Sequence, residues 1–450
     1  MGKNGASAVG SEAIYDAKGL GYPKMWLLGF QHMFAMFGAT VLVPAITGLS
    51  VSSTLLFAGL GTLLFHLITK RKVPAFLGSS FAFLGGYLSI APGGDPALLP
   101  YASFGVVCAG LVYLALAGLI KAFGVSRVMR YFPPVVTGPV IISIGLTLSG
   151  WALSNCNDNW AIALVAIVVV IAANIWGKGM IKIIPILLGV IASYAVAAIS
   201  GLVDFTKVSE AAWIGLPFHW NDTVFSIFKN PDTSLLISSA ITVMPIALAT
   251  IVEHIGDISA ISSTVGTNYI KDPGLHRTLL GDGLATVMAA LFGAPANTTY
   301  GENTGVLALT RVYDPKVVRI AAVIAAVLAF SPKFAAIITA MPVATLGGVS
   351  LILYGMISAV GVRNVVENKV DFTKSRNVII AALILVLAIG IKYGTGTTEA
   401  IAFNIGSINI SLSGLAVAAI VGIVLNAILP GKDYEFGKDQ QGDTSVNFKV

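Results

Sequence analysis

The sequence predicts an all-α polytopic membrane protein with fourteen transmembrane segments, arranged as two inverted repeats of seven. Three observations support this prediction. The 450 residues are 56% hydrophobic and 11% charged, whereas a soluble domain usually carries about 25% charged residues. Apolar runs close to the ~20 residues that span a bilayer follow one another almost end to end. The basic residues concentrate in alternate connections between those runs.

The apolar segments divide evenly about one long polar insert, residues 204–232. Seven segments precede the insert and seven follow it. An odd number of spans in each half places the second half upside down relative to the first, which is a common architecture of secondary transporters. We delimit the fourteen segments at residues 25–46, 52–69, 74–90, 101–123, 134–153, 160–176, 182–203, 234–257, 276–293, 297–311, 316–339, 342–361, 376–392 and 411–429.

The distribution of lysine and arginine sets the orientation, because cytoplasmic loops carry an excess of these residues. With the N-terminus inside, 23 of the 27 basic residues fall in cytoplasmic connections or in the two tails, residues 1–24 and 430–450. A wrong number of segments would scramble this asymmetry. We therefore expect a multi-pass protein of the inner (plasma) membrane with both termini in the cytoplasm. The exceptions, on or near the outer side, are Lys207, Lys229, Lys333 and Lys392.

Segments three and ten share a pattern that supports the inverted repeat. Each begins with a Pro-Ala pair, at residues 74–75 and 295–296, and a distinctive side chain, Phe81 or Glu302, stands seven residues after each proline. Short segments interrupted by Gly or Pro, in corresponding positions of the two halves, indicate a binding site near the membrane midplane. We expect each of these segments to contain a short extended stretch that leads into a half-helix.

Few ionisable side chains lie at membrane depth, and each is a candidate functional group because burying a charge there costs at least ~2.5 kcal/mol. Segment eight carries Glu253, and Asp257 follows four residues later on the same helix face. Segment ten contributes Glu302, and segment one contributes His32. An ionised carboxylate accepts hydrogen bonds and a protonated one donates, so this group can bind a polar ligand and exchange a proton.

Structural roles compete with these functional ones. Asp257 lies near the predicted end of segment eight, where it could instead be a solvated helix cap. His254 points to a different face from Glu253, and we expect a packed histidine there. Asp282 is predicted near the cytoplasmic end of segment nine, where it would serve structure at a helix end. His32 could pack within its helix or hydrogen-bond a carboxylate.

No enzyme, metal or cofactor motif competes with transport, since the sequence has no HExxH, paired CxxC, GxSxG or Walker loop. Two other functions stay open: an anion transporter on the same seven-plus-seven plan, and a membrane enzyme that uses the carboxylates. Several carboxylates in one site would repel an anion, and the enzyme would need a metal or nucleophile. The net charge of +6 is spread between apolar runs, so it does not indicate a nucleic-acid partner.

The run from Glu302 to Arg311 resembles the signature of the nucleobase–ascorbate transporter family, also called nucleobase:cation symporter 2. That signature has an acidic or amide residue, Asn, any residue, Gly, four further residues, then Thr and a basic residue. The similarity covers the whole chain outside the two tails and is greatest to the bacterial uracil permease branch. Further stretches that resemble this branch are Gln31-His32, Leu77–Phe83, Glu253–Gly256, Asp272–Arg277 and Asn297–Gly301.

The resemblance implies two domains. A core domain would comprise segments one to four and eight to eleven, residues 25–123 and 234–341. A gate domain would comprise the other segments, residues 124–233, which include the extracellular insert, and residues 342–429.

The resemblance also implies the roles of particular side chains. Phe81 would pack against a nucleobase, while Glu253 and Glu302 would hydrogen-bond its edge with help from the Gly301 backbone N–H. Tyr354, in segment twelve, would lie near the group that couples transport to protons. The residues implied to couple protons or to support the site are Asp257, His32, Tyr354 and Asn303.

The activity implied is import of uracil, or of a closely related pyrimidine base, by proton symport with alternating access. Transport of xanthine or another purine, sodium coupling, and less favourably anion transport are the alternatives. The resemblance implies no cofactor, and it raises a homodimer formed through the gate domain, although the sequence leaves the oligomeric state open. One position departs from the family: Asp257 stands where the best-known uracil permeases carry His, so the charge logic of proton coupling differs.

Overall fold

A computed structural model describes residues 12–396, 399–405, 408–432 and 434. The predicted N-terminal tail, residues 1–24, is therefore described only from residue 12. In the predicted C-terminal tail, residue 433 and residues 435–450 lie outside the described residues.

The first half of the chain forms one strand and ten α-helices. Short 3₁₀ turns at Ala17–Leu20, Phe81–Phe83 and Pro92–Gly94 join them. The elements are α1 (Tyr22–Thr47), α2 (Val51–Ile68), β1 (Leu77–Ser79), α3 (Leu84–Ile90), α4 (Leu99–Phe123), α5 (Val125–Met129), α6 (Pro134–Cys156), α7 (Trp160–Ile175), α8 (Met180–Ile183), α9 (Pro185–Ile199) and α10 (Thr206–Glu210).

The second half contributes three strands and nine α-helices. Two 3₁₀ turns, Trp220–Asp222 and Val224–Lys229, lead into it, and a π-helical turn, Ile270–Gly274, precedes its third helix. The elements are α11 (Thr233–Val243), α12 (Ile246–Val265), α13 (Leu275–Leu291), β2 (Asn297–Thr299), α14 (Gly301–Thr310), α15 (Pro315–Leu328), α16 (Pro332–Thr339), α17 (Val343–Glu367), α18 (Ser375–Gly394), β3 (Ala400–Ile405), β4 (Ile408–Ser413) and α19 (Gly414–Ile428).

Each predicted segment coincides with a helix, a pair of helices, or a strand followed by a helix. Seven spans among the described residues are long and apolar enough to cross a membrane, counting α11 and α12 together, or eight if α15 and α16 form one bent span. The prediction of a polytopic helical membrane protein is therefore confirmed. The number of fourteen spans stays a prediction.

Three predicted segments are broken or misplaced. Segment eight is interrupted at residues 244–245, and its second helix continues to Val265, eight residues past the predicted end. Segment eleven consists of α15 and α16, which meet at an angle of 89°. Segment seven is divided between α8 and α9. Pro245, Pro332 and Pro185 stand at or beside these breaks, and proline cannot donate the backbone hydrogen bond that a continuous helix needs.

The chain is not all-α, because it contains two antiparallel two-stranded sheets. The expected extended stretches of segments three and ten are β1 and β2, which pair in the register Leu77 with Thr299, Gly78 with Thr298 and Ser79 with Asn297. The second sheet pairs β3 with β4 and was not predicted. Residues 411–413, assigned to the start of segment fourteen, belong to its strand β4, and α19 begins at Gly414.

The helices pack in two groups, each drawn from both halves of the chain. In the first group α2 packs against α13 and α15, α4 packs against α11 and α13, and α1 packs against α15. In the second, α6 packs against α17 and α18, α7 packs against α9 and α17, and α18 packs against α19. The groups meet where α12 contacts α6 and α19, and where β4 lies along α11.

The described part of the N-terminal tail is a structural element of the first group. Ile14 pairs with Val312 as an isolated β-bridge, and the Tyr15 hydroxyl donates a 2.8 Å hydrogen bond to the carbonyl oxygen of Val265, at the end of α12. Asp16 accepts a 3.0 Å hydrogen bond from Lys316, which holds the pKa of the Asp16 carboxyl below its ordinary value. The segment thus joins the ends of α12 and α14, which carry the candidate carboxylates.

Close approach of α6 to α17 requires glycine. A Cβ atom on Gly361 would lie 2.6 Å from the backbone nitrogen of Ile142 and 2.7 Å from the carbonyl oxygen of Gly138. Backbone atoms cannot move aside as a flexible side chain can, so a methyl group would push the helices apart.

We predict that Gly361→Ala destabilises the protein by about 1–3 kcal/mol through overpacking. The measurement is the melting temperature of the purified protein in detergent. Gly390→Ala in α18 is the matched control, because no atom of the described residues beyond its chain neighbours and its own helix backbone lies within 4 Å of a Cβ at that position. Equal melting temperatures for the two variants would contradict the predicted clash.

Candidate functional site

The pairing of β1 with β2 brings the two repeat segments together at the candidate site. The backbone N–H of Ser80 donates to the carbonyl oxygen of Ala296 at 2.8 Å, and that of Tyr300 donates to the carbonyl oxygen of Phe76 at 3.0 Å. Immediately after the paired strands, the 3₁₀ turn that precedes α3 begins at Phe81, and α14 begins at Gly301. Phe81 and Glu302 therefore follow strands that are fixed against each other.

The Tyr300 side chain packs against strand β1 of this pair and hydrogen-bonds to it. Its hydroxyl donates a 2.9 Å hydrogen bond to the carbonyl oxygen of Ser79, and the Thr40 hydroxyl lies 3.4 Å from it. A Cβ atom on Gly78 would lie 2.5 Å from the Tyr300 ring. Glycine at position 78 is thus required for the ring to lie against the strand.

Helix α12 presents Glu253 and Asp257 one turn apart, as the spacing predicts. The Oε2 atom of Glu253 is buried and has no hydrogen-bond partner among the described residues. Asp257 Oδ2 accepts a 2.8 Å hydrogen bond from the Thr299 hydroxyl at the end of β2. Because α12 continues to Val265, Asp257 lies inside the helix, and the alternative of a solvated cap is wrong.

The three candidate carboxylates form one group. Helix α12, which carries Glu253 and Asp257, packs against α14, which carries Glu302, and Asp257 bonds to Thr299, three residues before Glu302. Each of the three is half-buried. The site therefore combines carboxylate oxygens that can accept hydrogen bonds, donate them when protonated, or carry a proton.

An aromatic contact lies at this site where the two helix groups meet. Phe81, 8% exposed, makes an edge-to-face contact with Tyr354 of α17, with ring centroids 5.8 Å apart and an interplanar angle of 74°. Tyr354 is 1% exposed. The predicted aromatic residue of segment three and the predicted tyrosine of segment twelve are thus in direct contact.

His32 and Asn303 form a buried polar contact between α1 and α14. The Asn303 side-chain amide donates a 3.0 Å hydrogen bond to the backbone carbonyl of His32 and lies 3.1 Å from His32 Nδ1. The partner of His32 is therefore an amide and not a carboxylate. This contact links α1 to the first turn of α14.

Asp282 lies in the middle of α13, not at a helix end as predicted, and its side chain is fully buried. Its Oδ2 atom is 2.8 Å from Nδ1 of His254. His254 is packed as expected, because its side chain is also fully buried. The packing joins it to a carboxylate that the sequence did not assign to it.

Open space adjoins the carboxylates. For Gly256, Gly301, Gly305 and Gly355, a Cβ atom would have no neighbour within 4 Å among the described residues, leaving aside chain neighbours and the helix's own backbone. The backbone N–H groups at the start of α14 are therefore approachable by a ligand.

Sequence reasoning left Thr299 and Tyr300 without roles. Both belong to the stretch Asn297–Gly301, which is rich in polar residues for a membrane segment. That density is the signal, since polar side chains at membrane depth are retained where they contact other polar groups. Their individual partners, Asp257 and Ser79, depend on the strand register and could not be read from the sequence.

A family model described as the permease family matches residues 23–397. The chain belongs to this family. Members are permeases, so the chain is a multi-pass membrane transporter and not an enzyme. The resemblance recognised in the signature around Glu302 is thereby confirmed.

Uracil permeases are among the most similar relatives of this permease. It is 43% identical over 417 residues to the uracil permease of Bacillus caldolyticus, covering 90% of this chain and 92% of the relative. It is 40% identical over 443 residues to the uracil permease of Bacillus subtilis, covering 95% and 97%. It is 37% identical over 419 residues to the uracil permease of Escherichia coli K12, covering 89% and 90%.

Solved structures share the fold of this permease at low sequence identity. The transmembrane domain of the cyanobacterial bicarbonate transporter BicA superposes with a TM-score of 0.57 at 16% identity, covering 92% of this chain and 99% of that one. SLC26A9 superposes with a TM-score of 0.63 at 13% identity, covering 92% and 66%. These likenesses concern the fold alone.

We predict that Thr299→Val lowers the stability of the purified permease by about 1–3 kcal/mol, because the hydrogen bond to Asp257 is lost while the shape is kept. Thr298→Val is the matched control, since the neighbouring Thr298 hydroxyl is buried and has no hydrogen-bond partner among the described residues. Both variants would be compared by thermal unfolding. A loss of stability as large in Thr298→Val as in Thr299→Val would contradict the assignment.

Proposed function

We propose that this permease imports uracil, or a closely related pyrimidine base, by proton symport with alternating access. The observation that carries the proposal is the packing of α12, which bears Glu253 and Asp257, against α14, which bears Glu302, and against the turn that begins at Phe81, next to the open start of α14. The similarity to uracil permeases over about 90% of the chain supports the choice of substrate.

The site suits a flat, neutral ring with N–H and C=O groups on its edge. We assign Phe81 to pack against the face of the base, since an aromatic ring offers a planar apolar surface. Glu302 is assigned to accept hydrogen bonds from the N–H groups of the base. The Gly301 backbone N–H is assigned to donate to a carbonyl oxygen of the base. The open space at Gly301 leaves room for this approach.

The two glutamates are given different roles because their surroundings differ. Glu302 is the second residue of α14, where the positive end of the helix dipole favours a negative group. Glu253 lies in the interior of α12, and its buried Oε2 has no hydrogen-bond partner among the described residues. We assign Glu302 as the ionised acceptor and Glu253 as the group that carries a proton and donates to a carbonyl of the base.

Asp257 is proposed to take part in proton coupling in place of the histidine of well-known uracil permeases. Its hydrogen bond from Thr299 and its electrostatic interaction with Glu253 support a role inside the site. An aspartate is neutral when protonated, whereas a histidine is neutral when deprotonated. The order in which charge appears during the cycle would therefore differ from that of a histidine-containing relative.

Alternating access is proposed to arise from movement of a core domain against a gate domain. The packing of helices from both halves of the chain into two groups supports this proposal. The open space beside Gly256, Gly305 and Gly355 lies near the middle of their helices, and the contact of Phe81 with Tyr354 lies beside Gly355 in the chain.

The orientation is part of the proposal: both termini in the cytoplasm of a cell whose inner (plasma) membrane holds the protein. The restriction of 23 of 27 basic residues to the predicted cytoplasmic side supports it. A homodimer through the gate domain stays a prediction drawn from the family resemblance.

Uptake by proteoliposomes tests the function directly. We expect labelled uracil to accumulate under an inward proton gradient and the accumulation to collapse with a protonophore. Xanthine and adenine, added in excess, are expected to compete weakly. Sodium-dependent uptake that resists the protonophore would overturn proton coupling, and transport of xanthine or bicarbonate in place of uracil would overturn the substrate.

The carboxylates make separable predictions for binding and transport. Glu302→Gln replaces an acceptor with a donor that faces a uracil N–H, which leaves both unpaired at a cost of about 1–3 kcal/mol per group. We expect Glu302→Gln to abolish detectable binding. Glu253→Gln should retain binding and lose transport, and Asp257→Asn should weaken proton-driven uptake while sparing most of the binding.

Calorimetry on the purified variants measures binding, and proteoliposome uptake measures transport. Glu367→Gln is the control, because Glu367 is an exposed residue that pairs with Arg363 at the end of α17, away from the site. Wild-type affinity in Glu302→Gln would remove Glu302 from the binding site.

A further inference from the structure

The buried contact between His254 and Asp282 has no part in the proposed binding or proton transfer. His254 lies on α12 and Asp282 on α13, and the side chains of both are fully buried, with Nδ1 and Oδ2 2.8 Å apart. The contact is short and joins a histidine to a carboxylate, which form an ion pair when the histidine is protonated. Such a pair in the interior of a helix bundle calls for an explanation, because burying ionisable groups is costly.

Neighbouring helices pack closely around the position of Asp282. Asp282 lies between two glycines, and a Cβ atom on Gly281 would lie 2.8 Å from the Phe65 ring, while one on Gly283 would lie 2.6 Å from Cβ of Tyr113. The missing side chains therefore let Phe65 of α2 and Tyr113 of α4 approach the helix on either side of Asp282. Phe65 also contacts His254 edge-on, with ring centroids 6.4 Å apart.

An apolar pair could fill the same space, because well-packed hydrophobic residues often replace a buried ion pair without loss of stability. A polar pair adds something that an apolar pair lacks, namely a preference for one alignment of the two helices. Misalignment would leave each polar group buried and unpaired, whereas apolar side chains tolerate sliding and rotation. The best-attested use of buried polar groups between helices is to fix their register in this way.

The position of His254 relates this alignment to the site. His254 follows Glu253 directly, and successive residues of an α-helix are separated by about 100° around the axis. A contact that holds His254 toward α13 therefore fixes the direction of Glu253 and of Asp257, which shares its face. We propose that His254 and Asp282 are positioning residues that set the rotation of α12, so that Glu253 and Asp257 face the open space beside Gly256.

The rotation can be measured without any substrate. In a background with Cys108→Ala and Cys156→Ala, a Gly256→Cys variant reports the open face of α12, because that position has no neighbour within 4 Å among the described residues beyond its chain neighbours and helix backbone. We expect a membrane-permeant maleimide to label it rapidly. Adding His254→Leu or Asp282→Asn should slow the labelling at least fivefold, because α12 is free to rotate.

Two further variants keep the test falsifiable. His254→Asn retains a polar nitrogen at the position of Nδ1 and should preserve rapid labelling. His66→Gln removes another buried histidine, which contacts the Ala75 carbonyl oxygen at 2.8 Å and does not bond to α12, so labelling of Gly256→Cys should not change. If His254→Leu and Asp282→Asn are labelled as fast as the parent, or His66→Gln is slowed equally, the positioning role is overturned.

A second readout rests on the proposed function, because it takes uracil as the ligand. His254→Leu should weaken uracil binding at least tenfold in calorimetry, while His254→Asn and His66→Gln should bind within about threefold of the parent. If the parent itself binds no uracil, the proposed function fails and the labelling experiment still decides the positioning role. If the parent binds and His254→Leu binds equally well, the positioning role fails and the proposed function stands.

Discussion

The strand pair in the middle of the molecule is the constraint on which the rest of the structure depends. Within a bilayer, a helix can be broken only if the exposed backbone N–H and C=O groups find partners inside the protein. The breaks in segments three and ten satisfy each other, since β1 pairs with β2. Two half-helices consequently begin side by side, and residues from opposite halves of the chain, Phe81 and Glu302, are brought to one place.

Around this strand pair, polar residues and glycine hold the helices together in different ways. Polar contacts tie α12 and α14 to their own packing group: Asp257 to Thr299 of β2, and Asn303 to His32 of α1. Within the second group, closeness of α6 and α17 comes from glycine, as at Gly361. Polar contacts fix the orientation of the helices, whereas contacts at glycine fix the distance between them. Each packing group is therefore held together by contacts within that group.

The contact between the groups at the site is of a different kind. Phe81 and Tyr354 meet ring to ring, and aromatic faces can separate and meet again without leaving a buried polar group unpaired. A rigid group on each side of such a contact is what movement of one domain against another requires. If the two groups move as core and gate, the aromatic contact of Phe81 with Tyr354 is a place where they can separate.

Hydropathy and charge were sufficient to predict a polytopic helical protein, because lipid demands long apolar runs and the insertion machinery sorts basic residues. The matched Pro-Ala pairs predicted β1 and β2, since the repeat marks equivalent breaks. Breaks within α11–α12 and α15–α16 were missed, because a run of apolar residues looks continuous whether or not its helix bends. The sheet of β3 and β4 did leave a signal in the alternation of apolar and polar residues over 408–413.

For the site as well, the sequence identified candidate residues by their type but did not identify the partners that they contact. Carboxylates at membrane depth identified Glu253, Asp257 and Glu302, because their cost in lipid is independent of their neighbours. The position of Asp282 was misjudged, because its place in segment nine does not reveal that its side chain is buried against His254 of another helix. The role of Thr299 likewise depends on strand register. Partners set by tertiary packing could not be predicted from one sequence.

The likeness to a bicarbonate transporter at 16% identity shows that this fold does not determine the substrate. The start of a helix is a ready-made anion site, because its N–H groups and dipole favour negative charge. In this permease Glu302 occupies the first turn of α14, and under the proposed function its ionised carboxylate supplies that negative charge from the protein itself. An anion would then meet a carboxylate where it needs a positive group, whereas a neutral ring finds an acceptor for its N–H groups. Under the proposed function, a single side chain at the start of one half-helix would favour a nucleobase over an anion on a shared fold.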